Sequence, residues 1–233
     1  MSNAKQLIHL KYLILFGLLI TFSSISMAQK SDVGNWFIYF GNQKINKKIN
    51  WHNEIQYRNY NFIGDINQLL IRTGIGYNLS ENNDNILLGY GYIQSHTYDA
   101  AGNKNRRDEH RIFQQFITKQ NIHNFYLQHR YRIEERFFSD DFKFRFRYFL
   151  SVNKPLNKKS LSKNAIYLSA YNEIFLNAEK PVFDRNRLYG ALGYCINDYI
   201  KIETGFMTQM LENKKQSQFQ IVFFNNLPFS REN

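Results

Sequence analysis

With one cysteine in 233 residues, the chain cannot form an intramolecular disulfide, even in an exported compartment that would permit one. Cys195 reads as a small strand residue and not as a nucleophile, because no base is identifiable beside it. Prolines number only three, so little interrupts a chain of regular strands. Beyond the N-terminal stretch, no run approaches the ~18 apolar residues that a transmembrane helix needs. The six histidines are scattered and no metal spacing emerges. Asp140-Asp141 reads as a solvated turn and not as half of a calcium site. Gly74-x-Gly76 and the pair Gly89 and Gly91 lack the following helix that a phosphate cradle requires. No cofactor and no metal are expected.

What is present is an aromatic content of 17% and a net charge of +11, with a negative mean hydropathy. The basic residues alternate with large apolar ones and form neither a run nor a helical stripe, so nucleic acid is not an expected partner. The clearest pattern is the segment from Phe125 to Val152. On its first arm Phe125, Leu127, His129, Tyr131, Ile133 and Phe137 alternate with Tyr126, Gln128, Arg130, Arg132, Glu134 and Arg136. On its second arm Phe142, Phe144, Phe146, Tyr148, Leu150 and Val152 alternate with Lys143, Arg145, Arg147, Ser151 and Asn153. A period of two puts an apolar, aromatic face against a charged one. Each arm is about twice the 5–6 residues usual for a soluble strand and long enough for a tilted bilayer crossing.

Similar segments recur along the chain: Val33 to Gln43, Ile49 to Tyr60, Ile66 to Leu79, Ile86 to Tyr98, Glu109 to Lys119, Phe125 to Phe138, Phe142 to Pro155, Ala165 to Asn177, Asp184 to Ile196, Tyr199 to Leu211 and Ser217 to Leu227. The turn from Ser80 to Asn85 is built of residues that tolerate turn conformations. Asp99 to Asp108 is expected as the longest loop. Gly89 and Gly91 share a face, where inward glycines make room for bulky neighbours. The segments count to about eleven, but bacterial single-chain barrels carry even numbers. The expected fold is therefore all-β, an antiparallel up-and-down transmembrane β-barrel of about 12 strands, with 10 as the alternative.

The N-terminus agrees with an exported barrel. Lys5 and Lys11 precede the apolar run Tyr12 to Ile20, and Ser26 and Ala28 are small residues where a signal peptidase needs them. Residues 1–28 are expected as a cleaved signal peptide and 29–233 as the barrel domain. The expected location is the bacterial outer membrane, with its lipids as partners.

His129-Arg130-Tyr131-Arg132-Ile133-Glu134-Glu135-Arg136-Phe137 resembles the central signature of the domain-of-unknown-function family numbered 2490. So do Glu54 with Arg58, Glu109-His110-Arg111 followed by Gln114-Gln115, Asn172-Glu173, Arg187-Leu188-Tyr189 and Gln209. The likeness covers nearly all of the chain after Ala28. It implies an exported bacterial β-barrel without an assigned activity, and it supplies no catalytic residues.

Energetics decide which face points inward. A Lys or Arg facing lipid near the midplane costs about 2–4 kcal/mol. Turning Lys143, Arg145 and Arg147 outward would therefore cost roughly 6–12 kcal/mol, comparable to the ~5–15 kcal/mol stability of a whole domain. The same parity predicts a lumen charge network of Glu54, Arg58, Arg72, Glu109, Arg111, Arg130, Arg132, Glu134, Arg145, Arg147, Glu173, Arg187 and Glu203, with His52 joining Glu54. Guanidinium–carboxylate pairs would fill and rigidify the barrel, giving a structural or binding role in the envelope. Alternatively, surplus inward arginine would make a narrow path for small anions. Two further alternatives are an outer-membrane lipid hydrolase and a soluble lipocalin-like carrier. The hydrolase needs a serine within reach of an oriented histidine. Adjacent Ser95 and His96 point to opposite faces, and for His110, across a hairpin from Ser95, the loop between them leaves the register open, so no enzyme is expected. His129 is expected to face outward without a partner.

Overall fold

A computed structural model describes residues 33–80 and 83–229, so the expected signal peptide lies outside the described residues. Eleven strands follow one another: β1 (Val33–Lys44), β2 (Ile49–Asn59), β3 (Ile66–Asn78), β4 (Asn85–Tyr98), β5 (Lys104–Ile122), β6 (Phe125–Phe137), β7 (Phe142–Pro155), β8 (Ile166–Asn177), β9 (Phe183–Cys195), β10 (Ile200–Met210) and β11 (Lys215–Asn225). Among the described residues there is no helix. Each strand pairs antiparallel with the next, and β1 pairs with β11 to close a barrel. The strands fall where alternating apolar and polar residues are bounded by Asn, Asp, Ser and Gly.

The expectation of 12 strands, or of 10, is corrected to eleven. Each hairpin reverses the chain, so in an odd-numbered meander the first and last strands run the same way. They can close the barrel only as a parallel pair, and β1 and β11 do so from Val33↔Ser217 to Gly41↔Asn225. Even numbers follow from antiparallel closure, which this chain does not use. The expected long loop is also shorter than predicted. β4 and β5 stay paired out to Tyr98↔Lys104, so the charged stretch from Lys104 to Asp108 is strand.

The directions of the strands define two ends. Val33 and the turns 60–65, 99–103, 138–141, 178–182 and 211–214 share one end; the end of β11 shares the other. Parity then sorts every side chain inward or outward. Ile55, Ile71, Leu88, Ile133, Phe144, Phe146, Leu188 and Phe206 are exposed on the outside, while Glu54, Arg72, Glu134 and Arg147 are buried inside. The inward glycines behave as expected. Gly89 sits opposite Phe113, and a Cβ on it would strike the Phe113 ring. Gly193 likewise lies under the Tyr167 ring.

Candidate functional site

The lumen is organised around Glu134 on β6, which is entirely buried. Pairing sets it between Phe113 on β5 and Arg145 on β7. Its carboxylate accepts hydrogen bonds from Arg145 at 2.6 Å, Arg147 at 2.6 Å and Arg111 at 3.3 Å. Arg132 and Arg72 stand farther off, at 3.7 and 3.9 Å. Glu173 takes Arg147 at 2.5 Å and Arg130 at 2.7 Å. Glu54 pairs with Arg72 at 3.0 Å, with His52 3.5 Å away. Glu109 holds Arg111 at 2.5 Å and Arg136 at 2.8 Å. Arg147 joins Glu134 to Glu173 and Arg111 joins Glu134 to Glu109, so the pairs form one lattice. Charge-assisted bonds of this kind are the only economical way to keep ions out of water.

Of the thirteen predicted lumen residues, twelve belong to this lattice or its edge. Glu203 does not. It accepts a hydrogen bond from Tyr167 Oη at 2.9 Å and a longer one from Tyr189 Oη at 3.4 Å, with no arginine in ion-pair range among the described residues. Cys195 is fully buried beside Ala165 and Tyr167.

The sequence reading left out several contributors. Asp184 binds Arg145 at 2.8 Å and Arg185 at 3.0 Å, and both Asp184 and Arg185 lie at the start of β9, where alternation gives little signal. Gln115 accepts two bonds from Arg132. Inward aromatics stack on guanidinium groups: Arg147 and Arg187 lie 4.4 and 4.7 Å from the Phe175 ring, and Arg132 lies 4.5 Å from Phe113. Such contacts offset part of a buried cation's desolvation cost and do not replace a carboxylate.

The expectation of a charged lumen holds for only part of its wall. Between β1 and β9 to β11, Trp36, Ile38, Tyr189, Met207 and Val222 form a buried apolar cluster, with Phe40, Tyr171 and Phe224 packed against it. β1 is apolar on both faces, so its alternation cannot announce which residues turn inward.

At the Val33 end the lattice opens into a basin of about 260 Å³. Ten of its sixteen lining residues are Arg or Lys and one, Glu109, is acidic. Arg107 and Lys143 form the exposed rim and are paired locally, Arg107 with Asp140 at 3.2 Å and Lys143 with Asp141 at 3.0 Å. The Lys143 ammonium holds the Asp141 carboxyl below its usual range. Arg72, Arg147 and Phe175, by contrast, are buried.

Ser95 lines this basin and accepts a bond from Gln68 at 2.7 Å. It pairs with Arg107, whereas His110 pairs with Tyr92 and contacts Tyr90 Oη on the outside. Ser95 and His110 therefore lie on opposite faces. His129 faces outward as expected, but it has a partner, with Nδ1 2.9 Å from Tyr148 Oη. Among the described residues no cluster of His, Cys, Asp and Glu is suited to a metal ion.

A family model described as a protein of unknown function, DUF2490, matches residues 33–220. That span includes ten complete strands and half of β11, and the chain belongs to this family. No curated protein and no solved structure matches it.

Proposed function

We propose that the chain is a bacterial outer-membrane β-barrel, exported by a cleaved signal peptide, whose lumen is a closed binding chamber and not an open channel. One observation carries the membrane reading: the barrel is inside out for water, with Arg and Glu buried and Ile, Leu and Phe bare on the surface. An exposed apolar belt of this extent is foreign to a soluble monomer. A soluble lipocalin-like carrier would turn that face inward. Strands of 11–19 residues meet the ~9–11 residues that a tilted crossing needs.

A closed lumen follows from its filling. Barrels of about 8 strands are packed by side chains, and aqueous channels belong to those of about 16–18; eleven strands with Phe113, Phe175, Met207 and Glu134 all buried lie nearer the first kind. The surplus of arginine supports a second reading, a narrow path for small anions. In planar bilayers the refolded protein is expected to be silent. Chloride-selective steps weakened by Arg130→Ala or Arg132→Ala would establish the second reading instead.

Location is tested by fractionation together with the gel mobility of unboiled and boiled samples. Phe146→Arg places a charge in lipid at a cost of about 2–4 kcal/mol and is expected to abolish recovery in the outer-membrane fraction. Arg145→Gln loosens Glu134 and Asp184 but leaves the outer face intact, so that variant still inserts. Wild-type protein recovered as a soluble monomer would sink the membrane reading.

A further inference from the structure

We infer that the basin at the Val33 end is a binding site for a small soluble ligand bearing a phosphate group. The strongest observation is that, among the cations lining the basin, two guanidinium groups have no carboxylate within hydrogen-bond reach. Arg58 donates from Nε, at 2.9 Å, and from one terminal nitrogen to Gln56 Oε1, and from the other terminal nitrogen to Gln68 Oε1 at 2.5 Å, both neutral amides. Arg187 donates from Nε to Gln209 Oε1 at 2.9 Å, and its nearest carboxylate oxygen, on Glu173, is 3.9 Å away. Both are only 7% exposed. Both stand over the same indole, Trp36, with their central carbons 3.8 and 5.0 Å from the ring centre.

Two buried like charges gathered over one ring are costly until an anion is placed between them. Each guanidinium has five N–H groups, of which Arg58 uses three and Arg187 one in these bonds, so both keep donors for the oxygens of a tetrahedral oxyanion. The other eight lining cations are paired with Glu54, Glu109, Glu134, Glu173, Asp184 and the rim aspartates, so the charge left over is that of two guanidinium groups, which a dianion matches better than a monovalent carboxylate. Because the rim cations are already paired with Asp140 and Asp141, the uncompensated charge lies deep, where an entering ligand ends and not where it arrives. A volume of about 260 Å³ admits a small molecule and excludes a nucleic-acid duplex.

The site depends on the lumen and not on where the barrel resides, so its test is separate from fractionation. Full-length protein refolded in detergent would be unfolded thermally with pyrophosphate or with chloride at matched ionic strength, the folded fraction being read from unboiled gel mobility. Pyrophosphate is expected to raise the midpoint. Its affinity should fall roughly tenfold in Arg58→Gln or Arg187→Gln, the loss of one charge-assisted bond, and vanish in the double variant. Lys159→Gln, an equal charge loss on an exposed loop at the other end, should change nothing. Should a Gln variant not fold, Arg187→Lys keeps the charge without the fork and should still weaken binding several-fold. A second arm uses micelles containing phosphatidic acid. Protection by that lipid but not by pyrophosphate would keep the phosphate chemistry and overturn the soluble source. Equal stabilisation by chloride, undiminished affinity in the double variant, or unchanged affinity in Arg187→Lys would overturn the site.

Discussion

On β1 and β9 to β11 the lumen is filled by Trp36, Ile38, Tyr189, Met207 and Val222, whereas β3 and β5 to β8 fill it with Arg72, Arg111, Glu134, Arg147 and Glu173. The apolar wall needs only to be apolar and well packed, because its stabilisation scales with area removed from water, about 25 cal/mol per Å². The charged wall is conditional. Each ion costs several kcal/mol to desolvate and repays it only with partners in the right place. An interior of the second kind is harder to build, but it leaves unspent charge where the partners run short, and the basin beside Arg58 and Arg187 is that place. That place is the seam between the two walls, where Arg58 of β2 and Arg187 of β9 both stand over Trp36 of the apolar cluster.

The sharpest way to break this comparison is to remove one side chain from each wall. Glu134→Gln leaves Arg111, Arg145 and Arg147 converging on a neutral amide and should cost about 3–5 kcal/mol. The urea midpoint of the refolded barrel reads this loss. An unchanged midpoint would mean that water or ions serve the arginines as well as Glu134 does, and the lattice would no longer count as a core. Met207→Ala on the opposite wall should cost about 3 kcal/mol by opening a cavity. Its deficit should be the same at low and high salt. A salt-dependent deficit would show that the two walls are not separable.

Much of this was legible from alternation. Most strand ends fall within one or two residues of the structure because the period of two stops where turn residues begin. β5 is the exception, since Arg106-Arg107-Asp108 has the composition of a loop and is held as strand only by pairing with β4. The count of eleven was also readable; the even-number rule overrode it, and a single sequence does not reveal that closure is parallel. Glu54, Glu134 and Arg147 are buried on the face that alternation assigns inward, a reading that depends only on neighbours along the strand. Which carboxylate meets which arginine depends on the diameter and stagger of the barrel. Glu203 shows the difference: its face was predictable, and its isolation from the arginines beside Tyr167 and Tyr189 was not. Trp36 escaped for a third reason, since in Trp36-Phe37-Ile38-Tyr39-Phe40 both faces are apolar.

The smallest expected effect separates inside from outside on a single strand. Gly190 and Gly193 lie on β9 three residues apart, and their opposite parity puts one outside and the other inside. A Cβ on Gly193 would strike the Tyr167 ring, whereas one on Gly190 would meet nothing within 4 Å. Tyr167 cannot easily yield, because it is fully buried and its hydroxyl is held by Glu203 at 2.9 Å. Gly193→Ala should therefore cost about 1–3 kcal/mol through overpacking. Gly190→Ala restricts the unfolded chain without a clash and should stabilise by about 0.4–1 kcal/mol. Urea midpoints of the two variants, measured side by side, should move in opposite directions. If both fall together, backbone freedom and not the ring above Gly193 is what β9 requires, and packing over inward glycines would lose its place in the account of how this lumen is filled.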